Sequence, residues 1–249
     1  METGSQKEID DFFNAIAVIE KKIGENKGIY GFFAYNAYFS LFDLLSNYAF
    51  PKDKLRSRYV KLISKYSDWL YKRYVSIVQL NCLINNDSKF SDSILRTIFQ
   101  NKINRKGLFS IRNGMIDEPK KYDFKIEELM SGLNKEQMNE FIKKKHTILK
   151  ARYDSLFYYM RCLCVHGLQF PTPNAPNFKE DGYTPSYYVM LDVNKIVGQI
   201  VNPEYVLWFP PNLIKNLFNE CFENIRQEAI ISPQQIFRPY YVYWIDQFK

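Results

Sequence analysis

Leu156-Phe157-Tyr158-Tyr159-Met160-Arg161-Cys162-Leu163-Cys164-Val165-His166-Gly167 is a nearly unbroken apolar run that carries one arginine and one histidine and closes on a glycine. Upstream of its end, Met138, Phe141, Ile142, Ile148, Leu149, Tyr153, Leu156, Phe157 and Met160 recur at the period of one helical face. The pattern predicts a long helix over 135–166, started by Asn134 as N-cap with Gln137 in the first turn. Gly167 stands where a helix ends on a C′ glycine. An Arg and a His at a buried-looking helix end require an explanation, because charge is rarely taken out of water without a partner.

Toward the N-terminus the helical periods continue. Ile9, Phe12, Phe13, Ile16, Ile19 and Ile23 form one apolar stripe on a first helix over 5–23, with Gly24 as its stop. A second helix over 29–48 is apolar on most sides, through Tyr30, Phe32, Phe33, Tyr35, Tyr38, Phe39, Leu41, Phe42, Leu44 and Leu45. Such a helix belongs in the middle of a bundle or against a second subunit. Pro51 is expected at the first position of a third helix, over 52–85 with room for one break, whose opening turn gathers Lys52, Lys54, Arg56 and Arg58. Ser91 and Asp92 are expected to cap a shorter helix carrying Ile94, Leu95, Ile98, Phe99 and Ile103. Residues 104–123, with Asn113-Gly114 and Pro119, read as a loop. Its length points either to a function or to a poorly ordered insertion.

Beyond Gly167, Pro171, Pro173, Pro176 and Pro185 exclude a helix over 168–186. Residues 187–193 and 205–209 have the composition of two short strands forming a hairpin, and Pro210-Pro211 opens a last helix over 212–229. The tail over 233–249 is aromatic enough that it is expected to dock on the body. The expected fold is therefore mainly α: a helical bundle with a small two-stranded β element before the last helix. We read it as a single domain spanning 1–249.

A formal charge of +7 and a pI near 9.0 favour an anionic partner, nucleic acid first, although a solvated lysine-rich surface explains the same surplus. The Lys143-Lys144-Lys145 run is most simply a solvated helix face. Four cysteines without a C-x-x-C spacing argue against a zinc site and a disulfide framework, and for a reducing compartment. The first eight residues have no apolar signal core, and the most apolar run is interrupted by Asn36, Ser40 and Asp43. A cytoplasmic chain without a membrane partner is expected. There is no phosphate-cradling Gly-x-x-x-x-Gly-Lys, no Gly-x-Gly-x-x-Gly and no His-Glu-x-x-His, and the chain has only two histidines. No metal and no cofactor are expected.

Arg161 and His166 remain. Arginine supplies a planar, permanently charged fork suited to phosphate, and imidazole both takes and gives a proton near neutrality. Together they suffice for attack of an RNA 2′-hydroxyl on the adjacent phosphate without metal. Five residues along an ideal α-helix leave two side chains roughly 140° apart. Either His166 sits where the helix unwinds toward Gly167, or each residue works with groups of a partner chain across a two-fold axis. Plainer roles stay open: a histidine at a helix C-terminus meets free carbonyls and the dipole, and Arg161 could be paired to Asp154 or Asp43.

Arg161-x-x-x-x-His166 at the end of a long helix, followed by Gly167, resembles the Arg-x(4–6)-His motif of the HEPN superfamily (higher eukaryotes and prokaryotes nucleotide-binding domain). The resemblance implies a helical bundle that forms a homodimer through its motif helices. It also implies a metal-independent ribonuclease acting as a toxin or in antiviral defence, with Arg161 and His166 catalytic, RNA as substrate, and an antitoxin or other protein as partner. Cys162 stands where members often carry Asn, Asp or His, and Leu168 where the antitoxin-paired subgroup has Tyr. The alternative is a non-catalytic HEPN-like module for RNA or nucleotide binding or assembly. Arg152, Tyr158, Tyr159 and Cys162, within a few turns of the pair, are candidate substrate-binding residues, with core packing the competing role for both tyrosines.

Overall fold

Ile9, Phe13 and Ile16 bury one stripe of α1 (Gln6–Glu25) in a computed structural model that describes residues 6–25, 32–106, 111–112, 115–116, 123–167, 186–190 and 204–232. The chain divides into two compact units, one drawn from 1–69, 160–182 and 211–249, the other from 70–159 and 183–210. The fold is mainly helical. Among the described residues no helix is long and apolar enough to cross a membrane.

The first unit is organised around α2 (Phe32–Ala49), which packs against α1, α3 (Leu55–Tyr66) and the long C-terminal helix Pro211–Ile231. Tyr35, Tyr38, Phe39, Leu41, Phe42, Leu45 and Tyr48 are all buried, so α2 is covered on several faces, as a helix apolar all round must be. The ring of Phe218 meets that of Phe42 edge-on at 5.6 Å and stacks on Phe222 at 5.8 Å. Each such fully buried aromatic or leucine contributes about 1.5–3 kcal/mol through area removed from water. Asn224 Nδ2 donates to the Tyr66 carbonyl at 2.9 Å, satisfying an acceptor at the end of α3.

Pro51 does not open α3. Asp53 N donates to Phe50 O at 3.0 Å, so Pro51 occupies the second position of a tight turn, where its fixed φ also fits. The helix starts four residues later, after an extended Lys54. Ser67, itself extended, ends α3, and its hydroxyl donates to Ile63 O at 2.7 Å.

In the second unit α4 (Ile77–Asn86) begins at Ser76, whose side chain accepts from Gln79 N. The break expected within 52–85 therefore spans about ten residues rather than a kink. α5 (Ile94–Lys106) is capped by Ser93, not by Ser91 or Asp92: Leu95 N donates to Ser93 Oγ at 3.3 Å. Ser91 is used one step earlier, closing the short 3-10 turn Ser88–Phe90. A short α6 (Ile126–Met130) leads to α7 (Lys135–Ile148), where Asn134 and Gln137 form the reciprocal capping box.

The helix expected over 135–166 is interrupted. After α7 a 3-10 turn, Leu149–Ala151, is followed by Arg152 in an extended conformation, and α8 (Tyr153–Cys162) starts anew. The cause is non-local: Tyr153 N donates to Tyr74 O at 3.0 Å and Asp154 N to Lys72 O at 3.1 Å. Those amides are drawn to another segment instead of continuing the helix. Buried Asp123 holds the same junction, its Oδ1 accepting from Ile77 N at 2.9 Å and its Oδ2 from the Tyr153 hydroxyl at 2.7 Å.

Backbone pairing in this unit also joins β1 (Ile111–Arg112), β2 (Met115–Ile116), β3 (Ser186–Met190) and β4 (Glu204–Trp208) in that order, each antiparallel to its neighbour. α9 (Pro211–Ile231) follows and belongs to the first unit. Of the loop expected over 104–123, residues 104–106 close α5, and β1 and β2 lie within it; its residues 107–110, 113–114 and 117–122, residues 168–185 and 191–203, and the aromatic tail over 233–249 lie outside the described residues.

Candidate functional site

α8 ends at Cys162, and the next turn, Leu163–Gly167, is a π-helix. A π turn bonds residue i to i+5, so it is wider than an α turn and brings residues five apart back toward one another. That widening lets Arg161 and His166 meet within one chain. Arg161 Nη1 lies 2.8 Å from His166 Nε2. A guanidinium only donates, so a hydrogen bond here requires Nε2 as the acceptor and, with it, the tautomer that carries its proton on Nδ1.

The rest of the guanidinium faces α2. Arg161 Nη2 donates to Asp43 Oδ2 at 2.5 Å, with the arginine side chain 8% and the aspartate side chain 26% exposed. Burial alone would ease loss of the Arg161 proton, but the hydrogen bond and charge of Asp43 outweigh it, and the group is held more firmly protonated than usual. Tyr59 of α3 is fully buried in the same neighbourhood, its hydroxyl donating to Phe39 O at 3.0 Å. Burial first, and the Asp43 carboxylate second, push its ionisation far above the normal range, so it stays a phenol. Cys162 is half-buried and interacts with the Arg161 side chain. His166 is exposed. The site thus has a buried, counter-charged arginine and a solvent-facing base.

One acceptor and one donor in this cluster are left over. Asp43 Oδ1 and Arg161 Nε are buried and have no hydrogen-bond partner among the described residues. Among the described residues no group of three or more His, Cys, Asp or Glu is placed to hold a metal. All four cysteines are free thiols, and burial pushes Cys164 up to about 12.

Arg161, Cys162 and His166 are therefore gathered in the first unit. Arg152, Tyr158 and Tyr159 fall in the second. There Arg152 Nε donates to Asp154 Oδ1 at 2.8 Å and Nη2 donates to Oδ2, a two-pronged pair with a carboxylate that is wholly buried. Of the two acids the sequence offered Arg161, Asp43 takes it and Asp154 goes to Arg152. Tyr158 is half-buried and Tyr159 exposed, their rings 6.0 Å apart.

Asp43 and Tyr59 were not among the candidate site residues. The available signal for Asp43 was its isolation: it is the one charged residue of a largely apolar α2. Tyr59 occupies an ordinary stripe position on α3 and carries no such signal. Comparison of the chain with protein-family models, with curated proteins and with solved structures found no match.

Proposed function

We propose that the chain is a metal-independent endoribonuclease of HEPN type, with Arg161 and His166 as its catalytic residues. The observation that carries this reading is the direct Arg161–His166 contact at a widened helix end whose histidine faces solvent. His166, with a free lone pair once an RNA displaces the arginine contact, takes the proton from a 2′-hydroxyl. The 2′-oxygen bonds to phosphorus, the P–O5′ bond breaks, and the departing 5′-oxygen takes a proton from water while the imidazolium of His166 returns its proton to solvent. The products are a 2′,3′-cyclic phosphate and a 5′-hydroxyl. Arg161 stabilises the negative charge that develops on the phosphorane.

The same proposal includes one HEPN-like domain, to which the strand pair before the last helix is a small addition. It also includes a homodimer through the motif helices and a cytoplasmic role as toxin or in antiviral defence, opposed by a neutralising protein. The net charge of +7 supports an RNA partner.

A second reading is a non-catalytic HEPN-like module that binds RNA or a nucleotide. Asp43 favours it, because a carboxylate already neutralises Arg161; so does Cys162 in place of a polar residue. Incubating purified protein and the Arg161→Ala, His166→Ala double variant with total RNA in EDTA separates the two. Cleavage by the wild type alone supports the ribonuclease, and equal cleavage or equal inertness ends it. Salt-sensitive RNA retention without cleavage selects the binding module.

A further inference from the structure

The ion pair between α2 and the end of α8 is built differently from the other arginine–aspartate pair among the described residues. Arg152 and Asp154 share two hydrogen bonds, and the carboxylate is wholly buried. Arg161 and Asp43 share one, Nη2 to Oδ2, and the Asp43 side chain keeps 26% of its surface exposed. What the missing prong would have joined is left idle on both sides: Arg161 Nε and Asp43 Oδ1 are buried without a hydrogen bond among the described residues. Buried polar atoms in this state raise the free energy of the arrangement that holds them.

We propose that Asp43 is a displaceable latch on Arg161: its carboxylate holds the guanidinium in the unliganded chain, and a phosphate group binds there by displacing it. The inference rests on the phosphate-handling role proposed above for Arg161. A phosphate offers several oxygens and can take Nε and Nη2 together, the two-pronged geometry that Asp43 leaves unused. The Asp43 side chain, partly exposed on the Nη2 edge, marks the side from which the anion arrives. While Asp43 stays in place the guanidinium charge is cancelled and an anion gains little. Once the carboxylate swings toward solvent, a full positive charge meets the phosphate in a partly buried setting, where attraction is stronger than in water. The resting site is thereby protected against the small anions of its surroundings and opens to a ligand that is also held elsewhere along its length, as a polynucleotide is.

The test titrates inorganic phosphate into wild type, Asp43→Asn and Asp43→Asn with Arg161→Ala, following the Arg161 Nε–H resonance in nitrogen-15-labelled protein where Arg161 is present. Thermal melting checks the fold of each. Asparagine keeps the shape but not the charge, so Asp43→Asn is expected to bind phosphate at least tenfold more tightly, about 1.4 kcal/mol. The added Arg161→Ala is expected to remove the gain. A folded Asp43→Asn with unchanged or weaker phosphate affinity overturns the latch and makes Asp43 a fixed structural counter-ion. If Asp43→Asn does not fold, the wild type decides: a shift of the Arg161 Nε–H signal with phosphate, but not with chloride at equal ionic strength, supports the latch, and no shift refutes it. RNA cleavage measured in parallel separates the two claims. Tighter phosphate binding without Arg161-dependent cleavage leaves the latch and removes the ribonuclease. Arg161-dependent cleavage by wild type, with no tighter binding in Asp43→Asn, removes the latch alone.

Discussion

His166 Nε2 accepts a hydrogen bond from Arg161 Nη1 at 2.8 Å although five residues separate them, because the turn Leu163–Gly167 is wound as a π-helix. The contact fixes the tautomer. In wild type at a pH where the ring is neutral, the proton is expected on Nδ1, and Arg161→Ala should abolish that preference. Nitrogen-15 shifts of the ring read this directly, and an Nε2-protonated ring in the wild type would contradict the contact.

Asp123 predicts a pH dependence of stability in the second unit. Burial pushes its carboxyl up to about 7 from an ordinary 3.8, against the opposing hydrogen bonds from Ile77 N and the Tyr153 hydroxyl. Between those values the folded chain keeps a proton that the unfolded chain has lost, so this residue's contribution to stability falls as pH rises from about 4 to about 7. Other carboxylates give the whole protein its own profile. The difference between wild type and Asp123→Asn, from urea melts across pH 4 to 8, isolates the slope, and a flat difference would refute it.

Thiol reactivity should follow burial. Cys82 is exposed and Cys162 half-buried, whereas Cys164 and Cys221 are buried and Cys164 is pushed up to about 12. Iodoacetamide at mildly alkaline pH is expected to label Cys82 first and Cys162 next, and the other two only after unfolding. Mass spectrometry of the native protein gives the order; labelling of Cys164 as fast as Cys82 would show that α8 does not end in the packing described.

Phe218→Ala removes the ring that meets Phe42 and Phe222 at the centre of the first unit. A loss of about 3–5 kcal/mol is expected from the lost transfer energy and the cavity left behind. Denaturant unfolding measures it, and a loss below 1 kcal/mol would mean that α9 does not pack on α2 as described.

The parts of this structure that were legible beforehand are those fixed by neighbours in sequence. The buried Ile9, Phe13 and Ile16 of α1, the burial of α2 on several faces and the Asn134–Gln137 capping box depend on residues within a few positions of each other. The parts that were not legible depend on distant backbone. Nothing around Arg152 announces a break, because the carbonyls that take the amides of Tyr153 and Asp154 belong to Lys72 and Tyr74. Ser91, Asp92 and Ser93 are three adjacent residues of which any could cap, and packing selected the third. The contact of Arg161 with His166 was legible only as one of two alternatives, an unwound helix end at His166 or a partner chain across a two-fold axis. An ideal helix separates Arg161 from His166, and no residue pattern over 163–167 signals the π turn that reunites them. Asp43 and Asp154 were equal candidates as the counter-ion of Arg161, and only the fold of α2 against the end of α8 distinguishes them.

The central claim is tested most directly by the chemistry of the ends it leaves. Purified protein incubated with single-stranded RNA in EDTA is expected to yield fragments ending in 2′,3′-cyclic phosphate, and Arg161→Ala and His166→Ala are each expected to abolish them. Intact RNA with the wild type, or fragments that persist undiminished in both variants, would contradict the claim.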